Sequence, residues 1–146
     1  MKKSIFMVAV IAISLVACAQ NPPKSVADNF NMKFQNATKV KWDQEETNEW
    51  EAEFKMNGEA MSASFDNAGN WLETEKELKK KELPAAVLNA FNSKYAGYKV
   101  DEASTIEKPD FKGYELGIEK GKEDLEILIT ADGTITSVKN VEEGED

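Results

Sequence analysis

Two periods of apolar residues run through this chain. Val26, Phe30 and Phe34 recur four apart, with Ala27 on the same face and Pro23 where prolines open helices. Val87, Leu88, Phe91 and Tyr95 repeat the pattern behind Leu83 and Pro84, and Gly97 follows as a C-cap signal. Each stretch predicts an amphipathic helix of about a dozen residues. The period then drops to two. Val40 and Trp42, then Trp50, Ala52, Phe54 and Met56, then Met61, Ala63 and Phe65 alternate with charged or hydroxylic residues, as strands with one buried face do. Asn57 and Gly58 both accept the positive φ of a tight hairpin, and residues 68–70 turn the chain into a fourth strand at Trp71. Later strands are expected over residues 99–106, 114–120, 124–130 and 135–141, with turns at Gly121-Lys122 and Asp132-Gly133.

These patterns are a repetition. Pro23, Val26, Phe30, Asn31, Lys33 and Phe34 return as Pro84, Val87, Phe91, Asn92, Lys94 and Tyr95, an offset of 61 residues. The run Trp50-Glu51-Ala52-Glu53-Phe54 returns as Tyr114-Glu115-Leu116-Gly117-Ile118, and the turn at Gly69 as that at Gly133, both at an offset of 64. The expected fold is therefore α+β: two tandem repeats, over residues 23–81 and 82–146, each with one helix packed on an antiparallel four-stranded sheet. Units this small are marginal alone, so they are expected to pack as one body.

The N-terminus reads as an export signal over residues 1–17, with Lys2 and Lys3 ahead of an apolar run from Ile5 to Leu15. That run is shorter than the roughly 20 residues of a membrane span. It ends in Leu15-Val16-Ala17-Cys18, which resembles a bacterial lipobox and makes Cys18 the expected lipidation site, followed by a tether over residues 18–22. Cleavage after Ala19 is the alternative and would release a soluble periplasmic protein. Removal of Lys2 and Lys3 takes the net charge from −9 to −11. Such a surface repels phosphate backbones and anionic headgroups, so nucleic acid is not expected as a partner and the membrane only through an N-terminal lipid. A basic protein or peptide suits it best, and solubility is the simpler use of the same charge.

Conventional catalysis has little to work with here. The chain has no histidine and one cysteine, which removes the usual general base, the commonest transition-metal ligand and any histidine-dependent triad. Glu51 with Glu53, and Glu115 with Glu119, share strand faces where an acid–base pair could stand, but such a pair needs a cleft that desolvates one acid. Residues 66–70 gather oxygen ligands yet fail the calcium-loop pattern, with Ala68 at the third position and Trp71 at the sixth. No catalytic residue, metal site or cofactor is expected. Trp50, Phe54, Phe65 and Tyr114 fall on the core side, while Leu72 competes with Trp71 for the inward position and leaves Trp71 a candidate for exposure.

Leu-Pro before Ala-Val and Phe on a helix, an aromatic-Glu-x-x-aliphatic strand, and an Asp-x-x-Gly turn into an aromatic or aliphatic residue together resemble the PepSY-like family, also described as β-lactamase-inhibitor-like. The resemblance spans Pro23 to Val141. It implies a tandem helix-on-sheet fold in exported bacterial proteins and a role in binding or inhibiting another envelope protein. That family's inhibitor presents aromatic residues on a disulfide-braced sheet, whereas this chain presents carboxylates, so no inhibitory contact is transferred. By alternation the partner-binding face comprises Glu51, Glu53, Lys55, Ser62, Ser64, Glu115, Glu119, Glu126 and Leu128. The expected function is that of a non-catalytic exported binding protein, an inhibitor or modulator of an envelope protein or peptidase. A structural or stress-related envelope lipoprotein is the alternative, and an acidic hydrolase stands last.

Overall fold

The computed structural model describes residues 21–141. The export signal over residues 1–17, Cys18, the Ala19 cleavage site, the start of the tether and the acidic tail from Glu142 lie outside the described residues. Helix α1 spans Lys24–Lys33, and strands β1 (Thr38–Glu46), β2 (Glu49–Met56), β3 (Glu59–Asp66) and β4 (Trp71–Glu77) follow it. A short 3-10 turn at Lys80–Glu82 leads to α2 (Ala85–Lys94), then β5 (Lys99–Lys108), β6 (Phe111–Lys120), β7 (Glu123–Ile129) and β8 (Ile135–Asn140). The fold is α+β: two helices and one eight-stranded antiparallel sheet with its strands in sequence order. The chain divides into two compact units, an N-terminal unit of residues 21–76 with Glu107–Asp110, and a C-terminal unit of Glu77–Ile106 with residues 111–141.

In the N-terminal unit, α1 places Val26, Phe30 and Phe34 against Trp50, Ala52 and Phe54 of β2 and Ala63 and Phe65 of β3, all buried. The four-residue spacing on the helix and the two-residue spacing on the strands meet in an aromatic core. The Phe30 ring lies 5.2 Å from Phe34, 5.2 Å from Trp42, 5.1 Å from Phe54 and 6.2 Å from Phe65. The last three are edge-to-face pairs, which add about 0.5–1.5 kcal/mol each beyond the area they bury. The Asn57-Gly58 hairpin forms as expected, with φ of 55° and 87°, and pairs Met56 with Glu59 across a two-residue loop.

The C-terminal unit is built from the same spacings with different side chains. Val87, Phe91 and Tyr95 of α2 and its C-terminus pack on Leu116 and Ile118 of β6 and on Leu125, Ile127 and Ile129 of β7. This core is largely aliphatic. Corresponding backbone bonds recur in the two units. Asp66 N–H donates to Asn70 O at 3.0 Å and Gly69 N–H to Asp66 O at 2.9 Å, while Thr130 N–H donates to Thr134 O at 2.9 Å and Gly133 N–H to Thr130 O at 2.9 Å. Each turn leans on its helix. A Cβ on Gly69 (φ +90°) would sit 2.7 Å from Ser25 O, and one on Gly133 (φ +91°) 2.7 Å from Ala86 O, so only glycine fits either position.

Several local expectations need correction. Val40 is 37% exposed and does not join the core. Lys39 takes a φ of 57° and the β1–β2 register shifts between Thr38 and Lys41, so the alternation that places Trp42 inward breaks two residues earlier. Both helices are ten residues long rather than a dozen. Gly97 (φ +90°) lies beyond the Tyr95 C-cap and shapes the following turn, where Tyr98 N–H donates to Tyr95 O at 3.1 Å. Trp71 is not exposed. It packs at the margin of the aromatic core, its indole N–H donates to Thr74 Oγ1 at 2.9 Å, and Lys33 Nζ lies 3.7 Å from its ring centre. A register shift after Ser64 lets Trp71 pair with Phe65, which settles its competition with Leu72.

Candidate functional site

The candidate site is, in each unit, the sheet face turned away from that unit's helix. In the N-terminal unit, antiparallel pairing aligns polar residues in rungs. Asp43, Glu51, Ser64 and Glu73 form one rung across β1 to β4, and Lys41, Glu53, Ser62 and Glu75 form the next. The serines fall on the interior strand β3, flanked on both sides by longer acidic chains. Ser64 is therefore buried and Ser62 half-buried, while Glu53 and Lys55 are exposed at their strand positions.

Burial and crowding set the protonation of this cluster. Glu51 is pushed up to about 7, first by burial and then by Glu45, Glu53 and Glu73, against a lowering hydrogen bond from Ser62. Burial also raises Glu45, with Asp43, Glu49 and Glu53 adding to it. Glu49 is raised by burial and by Glu73 and Glu46, while a hydrogen bond from Ser64 and the charge of Lys108 oppose the shift. Lys108 and Glu73 form a partly buried ion pair at 2.8 Å. Glu51 thus meets one requirement of an acid–base catalyst, a raised pKa, while its neighbour Glu53 is exposed. Among the described residues no group of three or more carboxylates is placed to hold a metal ion. The oxygens of Asp66 accept hydrogen bonds from Asn70 N–H at 2.9 Å and Asn70 Nδ2 at 2.8 Å, bonds that lower its pKa and close a turn.

The C-terminal unit carries a shallow depression of about 130 Å³ on the same kind of face. Six carboxyl residues line it: Asp101, Glu102, Glu115, Glu119, Asp124 and Glu126. Its floor is Gly117, which pairs with Glu126 between the core residues Leu116 and Ile118. Val141 adds apolar lining. Burial raises the pKa of Glu102, with Asp101 and Glu77 contributing. Lys99 stands near the rim, 4.0 Å from Glu119 and largely exposed, and Lys139 is the cross-strand partner of Glu126.

The nine face residues read from alternation fall into these two groups. Glu51, Glu53, Ser62 and Ser64 share the N-terminal rungs, with Lys55 further along β2. Glu115 and Leu128 are cross-strand partners, Glu126 opposes Gly117, and Glu119 opposes Asp124. Their exposure differs from the sequence expectation of a solvated face. Glu115 is 7% exposed and Ser64 5% exposed, because interior strands are covered by the side chains of the strands beside them. Glu49, Glu73, Glu102, Asp124 and Gly117 were not singled out. Glu49 and Asp124 follow from extending the same alternation by one step, whereas Glu73 lies beside a register shift that alternation cannot cross. No helix among the described residues is long and apolar enough to cross a membrane.

Known proteins share this architecture. A BLIP-like protein of Bacteroides fragilis is 30% identical with a TM-score of 0.74, the match covering 87% of this chain and 92% of that one. A DUF2874 family protein of Bacteroides ovatus is 26% identical with a TM-score of 0.72, over 83% of this chain and 89% of that one. A protein of Bacteroides eggerthii described as periplasmic is 23% identical with a TM-score of 0.70, over 83% and 90% of the two chains, and shares the fold. A search of the curated proteins finds no match. Residues 47–137, from the end of β1 into β8, match the PepSY-like, β-lactamase-inhibitor-like family, and the chain belongs to that family.

Proposed function

We propose that this is a non-catalytic, exported binding protein that presents the helix-free sheet face of its units to a protein or peptide partner in the bacterial envelope, as an inhibitor or modulator of that partner. The observation that carries this reading is the concentration of carboxylates on that face in both units, in a chain without histidine. Membership of a family described as inhibitor-like supports it, as does the periplasmic description of the B. eggerthii neighbour. The charge favours a basic partner, which exposed carboxylates would attract over distance and hold in register. Lipidation at Cys18 would keep the protein at a membrane surface, and intact mass of the exported chain distinguishes this from a free N-terminus at Gln20.

We further read residues 23–81 and 82–146 as two copies of one helix and four-strand unit. Support comes from the 61- and 64-residue offsets and from the matching turns at Gly69 and Gly133. One unfolding transition is expected for the intact chain, since units of this size are marginal alone.

The test of function is capture from envelope extract by the immobilised mature protein. A saturable partner of fixed stoichiometry should be retained, released by raised salt, and lost when the exposed Glu53 and Glu119 are changed to lysine. Retention that ignores both the salt and the charge reversal would place binding elsewhere.

A further inference from the structure

We propose that the depression on β5 to β8 is a socket for one long cationic side chain, a lysine or arginine presented by the partner peptide. The inference rests on the reading of the helix-free face as a binding surface and names what one part of that face would hold.

The socket exists because of a single residue. Glu53 and Gly117 stand 64 residues apart at the same place in the two related runs, Glu53 between Ala52 and Phe54 and Gly117 between Leu116 and Ile118. Where the N-terminal unit raises an exposed carboxylate, the C-terminal unit has no side chain, and the strand leaves a gap of about 130 Å³. The gap is not required by the backbone. Gly117 does not take a positive φ, and a Cβ built on it would lie 3.5 Å from Glu102 Cβ, an ordinary contact. Glycine in a strand interior weakens the strand unless a bulge or a close approach calls for it. A side chain entering from a partner is such an approach.

The lining selects the occupant. An apolar side chain would fit the floor beside Val141 but would strip water from the surrounding carboxylates without replacing it. An anion is repelled. A lysine or arginine stem can lie along Gly117 and Val141 while its charged end reaches the acids at the rim, the division between stem and head that these side chains commonly adopt. Among the described residues no lysine of the chain itself lines the gap, although Lys99 stands close enough to Glu119 to compete weakly.

The probes are three blocked alanine pentapeptides with a central lysine, arginine or norleucine, titrated into the isotope-labelled mature protein and followed by amide NMR. The lysine and arginine peptides should shift the Gly117 and Glu126 amides saturably, and norleucine should not. Gly117→Ala, which fills the floor, should weaken that binding about fivefold, corresponding to roughly 1 kcal/mol, with the spectrum otherwise preserved. Glu126→Gln, which leaves the floor open, should weaken it about threefold and provides a second reading if the glycine variant perturbs the strand. Equal shifts with norleucine, saturable shifts confined to the β2 and β3 face, or no effect of either variant would overturn the socket. The second of these outcomes leaves the binding-face reading standing. A socket that binds the cationic peptides while envelope capture fails would retain the socket and remove the wider reading.

Discussion

The two units solve one packing problem with different side chains. In the N-terminal unit the helix rests on rings, with Phe30 in contact with four other aromatic residues. In the C-terminal unit Phe91 faces mainly branched aliphatic residues, and Tyr95 is its ring neighbour at 6.4 Å. The turns that hold each helix to its sheet keep the same hydrogen bonds and the same glycine. What the backbone requires is therefore held fixed, and what merely fills volume is free to vary. On the helix-free face, positions 64 residues apart change in charge as well as size: Glu53 against Gly117, Ser62 against Glu126, Ser64 against Leu128.

The largest expected effect tests the cores. Phe30→Ala and Phe91→Ala should each cost about 3 to 5 kcal/mol in denaturant unfolding, with Phe30→Ala the greater because it removes several ring contacts as well as volume. Equal losses would mean that the aromatic geometry of the first core adds nothing beyond burial.

The turns come next. Gly69→Ala and Gly133→Ala should cost about 2 to 4 kcal/mol and should match each other, since each combines a positive φ with a Cβ pressed on a helix carbonyl. Gly58 supplies the control. Its φ is +87° but open space surrounds it, so Gly58→Ala should cost only about 1 kcal/mol. Unequal losses at Gly69 and Gly133 would break the equivalence of the two turns.

These comparisons also mark how far the sequence could be read. Helices, hairpins and the inward side of each long strand were legible because the helical and strand periods are independent of which apolar residue fills them. Alternation fails at Val40 on the edge strand β1, because a positive φ at Lys39 shifts the register without changing the letters. Alternation assigned Glu51 and Glu115 to the correct face but not their burial, which depends on how long the side chains of neighbouring strands are. Charge reversal at those two positions is accordingly not a harmless surface change. The depression was invisible for a related reason. A glycine within a strand signals a missing side chain, but only the assembled rungs reveal that its neighbours leave the gap open.

Glu51 provides a test in pH. Its folded pKa of about 7 lies above the ordinary 4.5, so the folded chain holds this proton more tightly than the unfolded chain. The stability this provides is complete below 4.5 and is lost as pH rises to about 7. Glu51→Gln should therefore be more stable than the parent by about 2 kcal/mol at pH 8, and the difference should shrink steadily on acidification. No pH dependence in that difference would mean that neither burial nor the acidic neighbours Glu45, Glu53 and Glu73 raise its pKa as described.

The smallest effect sharpens the comparison most finely, because the two units each bury a serine with opposite consequences. Ser64 is 5% exposed and its hydroxyl is hydrogen-bonded to Glu49 on the neighbouring strand. Ser104 of β5 is fully buried, and its hydroxyl has no hydrogen-bond partner among the described residues. A buried hydroxyl without a partner gives up its water and gains nothing, at a cost of about 1–3 kcal/mol, whereas a satisfied one contributes about 1 kcal/mol. Ser104→Ala should then stabilise the chain by about 1 kcal/mol, while Ser64→Ala should destabilise it by a similar amount and leave Glu49 less well solvated. Thermal unfolding of the two variants beside the parent measures both signs at once. A loss of stability in Ser104→Ala would mean that its hydroxyl is satisfied after all and that the two interior serines are alike.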